Sequence, residues 1–194
     1  PTVFITHQLH IRSPLGKWNE KILQKMNYRF INRSTQCWVP DQAAAPGLAG
    51  MLSHPEHKPA IPVKYTGPLS RFHETGITEK KGHLLILLSG PEPQRSLLED
   101  QLSKAIAHYP GTADFVRGLP AAQSFIPSTR MLQFHNHLHA EALQQKIAEA
   151  EYVIARSGYS TVMDLSMMGK KSILIPTPGQ TEQEYLAAFL QQQQ

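Results

Sequence analysis

Apolar and polar positions change period repeatedly along this chain. Thr2–Thr6 (TVFIT) is β-branched and aromatic, the pattern of a buried strand. Leu15–Asn32 switches to helical spacing, with Ile22, Leu23, Met26 and Phe30 on one face. Gln36–Val39 is a short strand stopped by Pro40. Asp41–Pro62, rich in Pro, Ala, Gly and His, reads as a loop, and Val63–Thr66 as another short strand. Gly67-Pro68 breaks the pattern and a polar stretch runs to Lys81, so a linker is expected at 67–81 between domains at 1–66 and 82–194.

Beyond the linker the rhythm is regular. His83–Leu88 (HLLILL) is a continuous apolar run, as in a strand covered on both faces of a parallel sheet. Ser96 and Glu99 have capping-box spacing and open a helix whose inward residues are Leu98, Leu102, Ala105, Ile106 and Tyr109. Asp114–Arg117, Arg130–Phe134, Tyr152–Ala155 and Ser172–Ile175 predict strands. Ala140–Ala150, Ser160–Met168 and Thr181–Leu190 predict helices, the last with a second capping box at Thr181 and Glu184. Met163, Met167 and Met168 read as core packing. Strands alternating with helices of this length predict βαβ units in a doubly wound parallel sheet, fold class α/β. There is no internal repeat, and Gln191–Gln194 reads as a frayed end.

Composition narrows the partners. The 194 residues suffice for one large or two small domains. A net charge of +4 without a dense basic block or basic-aromatic stripe argues against nucleic acid. It suits an anionic small ligand or a membrane surface without choosing between them. One cysteine, Cys37, excludes an internal disulfide and fits a reducing compartment. The longest purely apolar run, Leu84–Leu88, is far short of the roughly 20 residues of a membrane helix. The chain opens on Pro1 directly into a strand pattern, so an N-terminal portion is expected to precede it.

Ligands of open α/β sheets bind beyond the carboxyl ends of the strands. Arg156, Ser157, Gly158 and Tyr159 fall at such an end, followed by Ser160 and Thr161 at a helix N-terminus, which suits phosphate. Asp164, one turn in, can accept two hydrogen bonds from a ribose diol. Pro176-Thr-Pro-Gly-Gln180 ends the next strand, and Gln180 and Gln183 offer neutral amides to sugar hydroxyls. Ser89-Gly90-Pro91 is a third strand-end turn, with Arg95 near enough in sequence to pair with a phosphate. A plain reading stands beside each: an N-cap with a first-turn acid, a tight connection with solvated amides, an ordinary turn. The alternating histidines of Phe134–His139 invite a metal, but no carboxylate or cysteine motif accompanies them. A binuclear amidohydrolase would need a barrel of about 250 residues. His7, just past the first strand, is either a general base or a structural histidine.

The stretch YVIARSGYSTVMDL…GKKSILIPTPGQTEQEYLA resembles the C-terminal domain of the GT-B glycosyltransferases of family 28, the group that includes the peptidoglycan N-acetylglucosaminyltransferase. LLILLSGPEPQRSLLE is similar to that family's glycine loop and following helix, and YTGPLSR to its interdomain segment. PTVFITHQ and CWVPD look like strands of its N-terminal domain. The resemblance implies a GT-B-like architecture of two Rossmann-like doubly wound parallel sheets, the N-terminal one incomplete. It implies transfer of a sugar from a nucleoside diphosphate donor, a UDP-sugar, to an unknown lipid, glycan or small-molecule acceptor. Transfer would be inverting, with no cofactor and no metal. The chain contains no Asp-x-Asp pair, which agrees with the last point. The resemblance places Ser89 and Gly90 near the diphosphate and Asn136, His137 and Leu138 beside the base. It assigns Ser157 to Thr161 to the diphosphate cradle, Asp164 to the ribose, and Gln180 and Gln183 to the donor sugar. His7 and Gln8 fall on the acceptor side, with His7 the candidate base. Location would be cytoplasmic, with peripheral membrane contact left open.

This sequence departs from the family where Asp164 replaces a glutamate and Ser-Gly-Pro replaces a double glycine. The acceptor loop and the returning C-terminal helix have no counterpart, so the chain reads as about half of one domain and most of another. A nucleotide-sugar 2-epimerase or hydrolase on the same fold, or a catalytically silent donor-binding subunit, remain alternatives.

Overall fold

The computed structural model describes residues 1–121 and 125–193. They form two compact units. One comprises Pro1–Ser70, Gly158–Met163 and Pro178–Gln194; the other comprises Arg71–Ser157 and Asp164–Thr177. The break after Ser70 lies inside the expected 67–81 linker. The C-terminal segment, however, does not stay with 82–194.

The first unit is built on a parallel three-stranded sheet in the order β1 (Val3–Ile5), β2 (Gln36–Val39), β3 (Val63–Tyr65). Its core gathers Leu9, Ile31, Cys37 and Val39, with Phe4, Tyr28 and Val63 packed around them. Helix α1 (Lys17–Ile31) enters that core through Tyr28 and Ile31. Its remaining inward residues are polar and hold the 8–13 loop. Gln24 accepts from Ile11 N at 2.8 Å and donates to Leu9 O at 2.7 Å, Asn27 donates to Gln8 O at 3.3 Å, and Glu20 accepts from Ser13 N at 3.0 Å. The expected apolar face, Ile22, Leu23, Met26 and Phe30, is exposed instead. Periodicity finds an apolar stripe but not the side on which the protein lies.

The 41–62 segment is a loop interrupted by one 3₁₀ turn at Gly50–Leu52. Asp41, fully buried, organises it by accepting from Gln42 N, Leu48 N, Ala49 N and Ser53 Oγ. Helix α5 (Thr181–Gln191) joins this unit because its aromatics reach that turn: Tyr185 Oη accepts from Met51 N at 2.8 Å.

The second unit is a parallel five-stranded sheet in the order β6 (Leu132–His135), β5 (Thr112–Val116), β4 (Lys80–Leu87), β7 (Ala150–Arg156), β8 (Ser172–Ile175). Alternation along the strands feeds two cores. Ile86, Leu88 and Phe115 meet Leu98 and Ile106 of α2 (Gln94–Ile106) on one face. Leu85, Val116, Val153 and Ala155 meet Leu143 and Ile147 of α3 (Ala140–Glu149) on the other. Helices on both faces make the sheet doubly wound, in agreement with the predicted α/β class. Helix α4 spans Tyr159–Met167, and Met167 is exposed while Met163 and Met168 are buried.

Neither capping box forms. Helix α2 starts at Gln94, ahead of Ser96, and the Glu92 carboxylate accepts from Ser96 N at 3.1 Å. Helix α5 has Gln180 as its N-cap, Thr181 donates to Arg12 O, and Glu184 accepts from Gly179 N at 2.9 Å. In both cases the hydroxyl residue lies within the helix and not at its N-cap, so the box has nothing to close.

Candidate functional site

The strand order of the second unit locates a topological switch point. Chain order runs outward from β4 through β5 and β6, then returns to the other side of β4 with β7 and β8. The reversal lies between β4 and β7, which pair in parallel. Loops leaving a sheet on either side of such a switch point diverge and open a crevice at the carboxyl edge. Here those loops are Ser89-Gly90 after β4 and Ser157-Gly158 after β7.

The loop glycines suit close approach. Gly90 has φ 105°, a left-handed value that β-carbon-bearing residues avoid, and a Cβ added there would meet no atom within 4 Å. A Cβ at Gly158 would also meet nothing within 4 Å. Ser89 is exposed, whereas Ser157 is buried and has a partner. On α4, Ser160, Thr161 and Asp164 fall on one side by their spacing and are accessible, while Tyr159, Val162 and Leu165 are buried. Ser160 and Thr161 therefore offer hydroxyls in the first turn, next to the amides that a helix N-terminus leaves unpaired.

Arg156 ends β7 and is only 4% exposed. Its Nη1 donates to Pro176 O, beyond β8, and its Nη2 donates to Gln94 O, at the start of α2, both at 2.8 Å. Nε has no hydrogen-bond partner among the described residues. Burial pushes the guanidinium down from its usual value, yet it remains a cation at neutral pH. One buried positive charge thus joins loops on both sides of β7 through carbonyls alone.

Arg95 does not fit the phosphate-binding expectation. It is 5% exposed, and its Nε donates to Glu92 and its Nη1 to Glu99, both at 2.6 Å. Glu99 also takes Arg117, whose Nη1 donates to Asn136 Oδ1 at 2.8 Å. Burial raises the Glu99 carboxyl, but hydrogen bonds from Arg117 and Arg95 outweigh it and hold it below the usual range. Arg95 is therefore an internal support that fixes Arg117 and, through it, the Asn136 loop. The signal was legible, since Glu92 and Glu99 stand at i−3 and i+4 from Arg95.

In that loop, Leu138 packs toward the core and His137 contacts His139 edge-on at 5.7 Å between centroids. Among the described residues no cluster of His, Cys, Asp or Glu could hold a metal ion. His135 instead donates to Asp114, at 2.7 Å, which also takes His83 at 3.0 Å and Lys146 at 3.0 Å. Through the buried Asp114 this cluster joins strands β4, β5 and β6 to α3, and the sequence reading missed it.

In the first unit, His7 Nε2 lies 3.0 Å from Glu182 Oε1, and its ring stacks on Tyr159 at 4.1 Å. Tyr159 donates to Pro40 O at 2.9 Å, and burial, reinforced by Asp41, pushes its phenol well above the ordinary value. Glu182 and Tyr159 are thus the unpredicted partners of His7. Gln8 is half-buried, and its backbone N donates to Thr6 Oγ1. Gln183 Nε2 donates to Gln180 Oε1 at 2.6 Å, so the two predicted sugar-binding amides pair with each other. Gly179 adopts φ 80°, as the Pro-Gly turn predicted.

The parallel α/β sheet with its switch point is of the doubly wound, Rossmann-like type. Residues 121–194 match the family model described as the glycosyltransferase family 28 C-terminal domain. Among curated proteins, a UDP-N-acetylglucosamine–N-acetylmuramyl-(pentapeptide) pyrophosphoryl-undecaprenol N-acetylglucosamine transferase of Methylobacterium sp. is 44% identical over 45 residues. The protein of the same name from Rhodopseudomonas palustris is 40% identical over 45 residues. Each match covers 23% of this chain and 12% of the relative. No solved structure matches the chain.

Proposed function

We propose that the chain carries the donor site of a glycosyltransferase that moves a sugar from a UDP-sugar to a lipid-linked acceptor. The observation that carries the reading is Arg156. A buried cation that meets only carbonyls, at the switch point of a doubly wound sheet, favours an anionic ligand over a neutral one. The match of residues 121–194 to the family 28 C-terminal domain supports the same class of ligand. The relatives' printed names supply UDP-N-acetylglucosamine as donor and a pyrophosphoryl-undecaprenol acceptor as the starting hypothesis.

The roles are those that the family resemblance implies. Ser89, Gly90 and the stretch Ser157–Thr161 receive the diphosphate. Asp164 accepts hydroxyl hydrogens of the ribose, and the backbone of Asn136–Leu138 flanks the base. Gln180 and Gln183 meet the donor sugar after exchanging their mutual hydrogen bond for it. Departure of the nucleoside diphosphate builds negative charge, which helix-terminal N–H groups and Arg156 stabilise without a divalent ion. Transfer is a single displacement with inversion, and His7, held by Glu182, takes the acceptor proton.

Isothermal titration with UDP and UDP-N-acetylglucosamine tests the site. Saturable binding is expected, and Asp164→Ala should weaken it by roughly tenfold, about the worth of one charged hydrogen bond. Absence of binding at millimolar UDP, or equal affinity in Asp164→Ala, would sink the assignment. Incubation with the sugar nucleotide and no acceptor distinguishes the chemistry, since an epimer or free sugar points to an epimerase or hydrolase.

A further inference from the structure

His7, just past β1, is held from two sides within the first unit. Its backbone is placed by the sheet, since Thr6 N still donates to Trp38 O at 3.0 Å. Glu182, in the first turn of α5, meets Nε2 at 3.0 Å. A carboxylate only accepts, so the ring proton belongs on Nε2 and the neutral ring keeps its lone pair on Nδ1. Nδ1 has no hydrogen-bond partner among the described residues, and the side chain is 24% exposed. The ring plane is set by Tyr159, the first residue of α4, which stacks on it at 4.1 Å and 16°. Tyr159 is buried, and its hydroxyl donates to Pro40 O, beyond β2, at 2.9 Å. One contact fixes the tautomer of His7 and the other fixes its tilt.

We infer that Glu182 and Tyr159 are positioning residues for proton transfer, and that Nδ1 of His7 is the atom that takes the acceptor proton. The inference rests on the base role proposed for His7 and adds the reacting atom and its supports. As the acceptor oxygen bonds to the anomeric carbon, its proton passes to Nδ1. The bond to the diphosphate breaks, and its electron pair leaves on UDP. The imidazolium so formed is balanced by the Glu182 carboxylate on its other side. Tyr159 stands between Gly158 and Ser160, inside the stretch proposed to receive the diphosphate. One short segment therefore carries both the leaving-group contacts and the support of the base.

Long-range proton–nitrogen correlation spectra of the full chain read the tautomer directly. The neutral His7 ring should carry its proton on Nε2 alone. Glu182→Gln, whose amide can accept or donate, should give a mixture of tautomers. Release of UDP from UDP-N-acetylglucosamine, with water as acceptor, reads the chemistry. Glu182→Gln should lower kcat roughly tenfold to a hundredfold with KM unchanged, as expected when a base is present but misplaced. Tyr159→Leu should lower kcat comparably, and Tyr159→Phe, which keeps the ring, should recover most of that loss. Circular dichroism checks that each variant is folded. A parent ring protonated on Nδ1, an unchanged kcat in Glu182→Gln, or a parent that binds UDP yet releases none from the sugar nucleotide would each overturn the inference. Failure to bind UDP, with the proton still on Nε2, would remove the donor site and leave the hold on His7 standing.

Discussion

Arg156 gives its two Nη groups to main-chain carbonyls of Gln94 and Pro176. Arg156→Ala leaves both carbonyls without that donor, and hydrogen bonds to charged groups are worth about 1.5–3 kcal/mol each. We expect a loss of about 3 kcal/mol from urea unfolding, with Arg156→Lys recovering part of it because an ammonium reaches one carbonyl more easily than two. Asp114 makes a separate prediction. Burial pushes its carboxyl up, but hydrogen bonds from His135 and Lys146, and their charge, pull it further down, so the net shift is downward. A folded value below the unfolded one, about 3.9, gives stability that is present above that pH and lost as pH falls through the folded value. Urea midpoints should therefore fall with acid below about pH 4 in the parent and fall less in Asp114→Asn. At neutral pH that variant should be weaker by about 1–3 kcal/mol, because Lys146, His135 and His83 lose a charged hydrogen-bond acceptor. At this scale the sequence showed the residues but few of their partners. His7 was visible as a candidate, whereas Glu182 lies 175 positions away and only folding makes it a neighbour.

Elements were easier to read than their ends and orientations. Strands β2 and β8 fall on their predicted residues, and β4 begins three residues before the apolar run because pairing extends past it. The start of α2 was misread because the preceding Glu92, and not Ser96, serves the first-turn amide there, whereas α5 begins at Thr181 as predicted. The outward apolar stripe of α1 was the larger error, since a period of 3.6 carries no sign. Gly118 shows how one element constrains another at the site. It has φ 72°, and a Cβ there would lie 2.5 Å from Leu88 O, just ahead of the Ser89 loop. Gly118→Ala should cost about 1–3 kcal/mol in strain. Because the strain bears on that loop, UDP should bind the variant more weakly even at temperatures where it is fully folded. Calorimetry beside thermal unfolding separates the two effects, and unchanged affinity would contradict the link.

For the whole molecule, ligand linkage gives the broadest check. A ligand that binds only the folded chain stabilises it by about 2.7 kcal/mol at one hundred times its Kd. Excess UDP should therefore raise the melting temperature, with a smaller rise in Asp164→Ala at the same concentration. Hydrogen exchange should slow most in the loops after β4 and β7. The sequence by itself determined the α/β class and the parallel second sheet, because apolar period and strand-end turns are local properties of the chain, while its motifs between Tyr152 and Leu190 carried the resemblance to glycosyltransferase family 28. It also placed most second-unit candidates at one sheet edge, since strand ends precede the turns it could see. Only the tertiary structure decided that Arg95 is sequestered, that Arg156 is a buried cation between carbonyls, that His7 has Glu182 and Tyr159, and that α1 turns its apolar stripe outward. Those facts depend on which distant groups share space, and hydrophobic pattern, being one-dimensional, does not encode that.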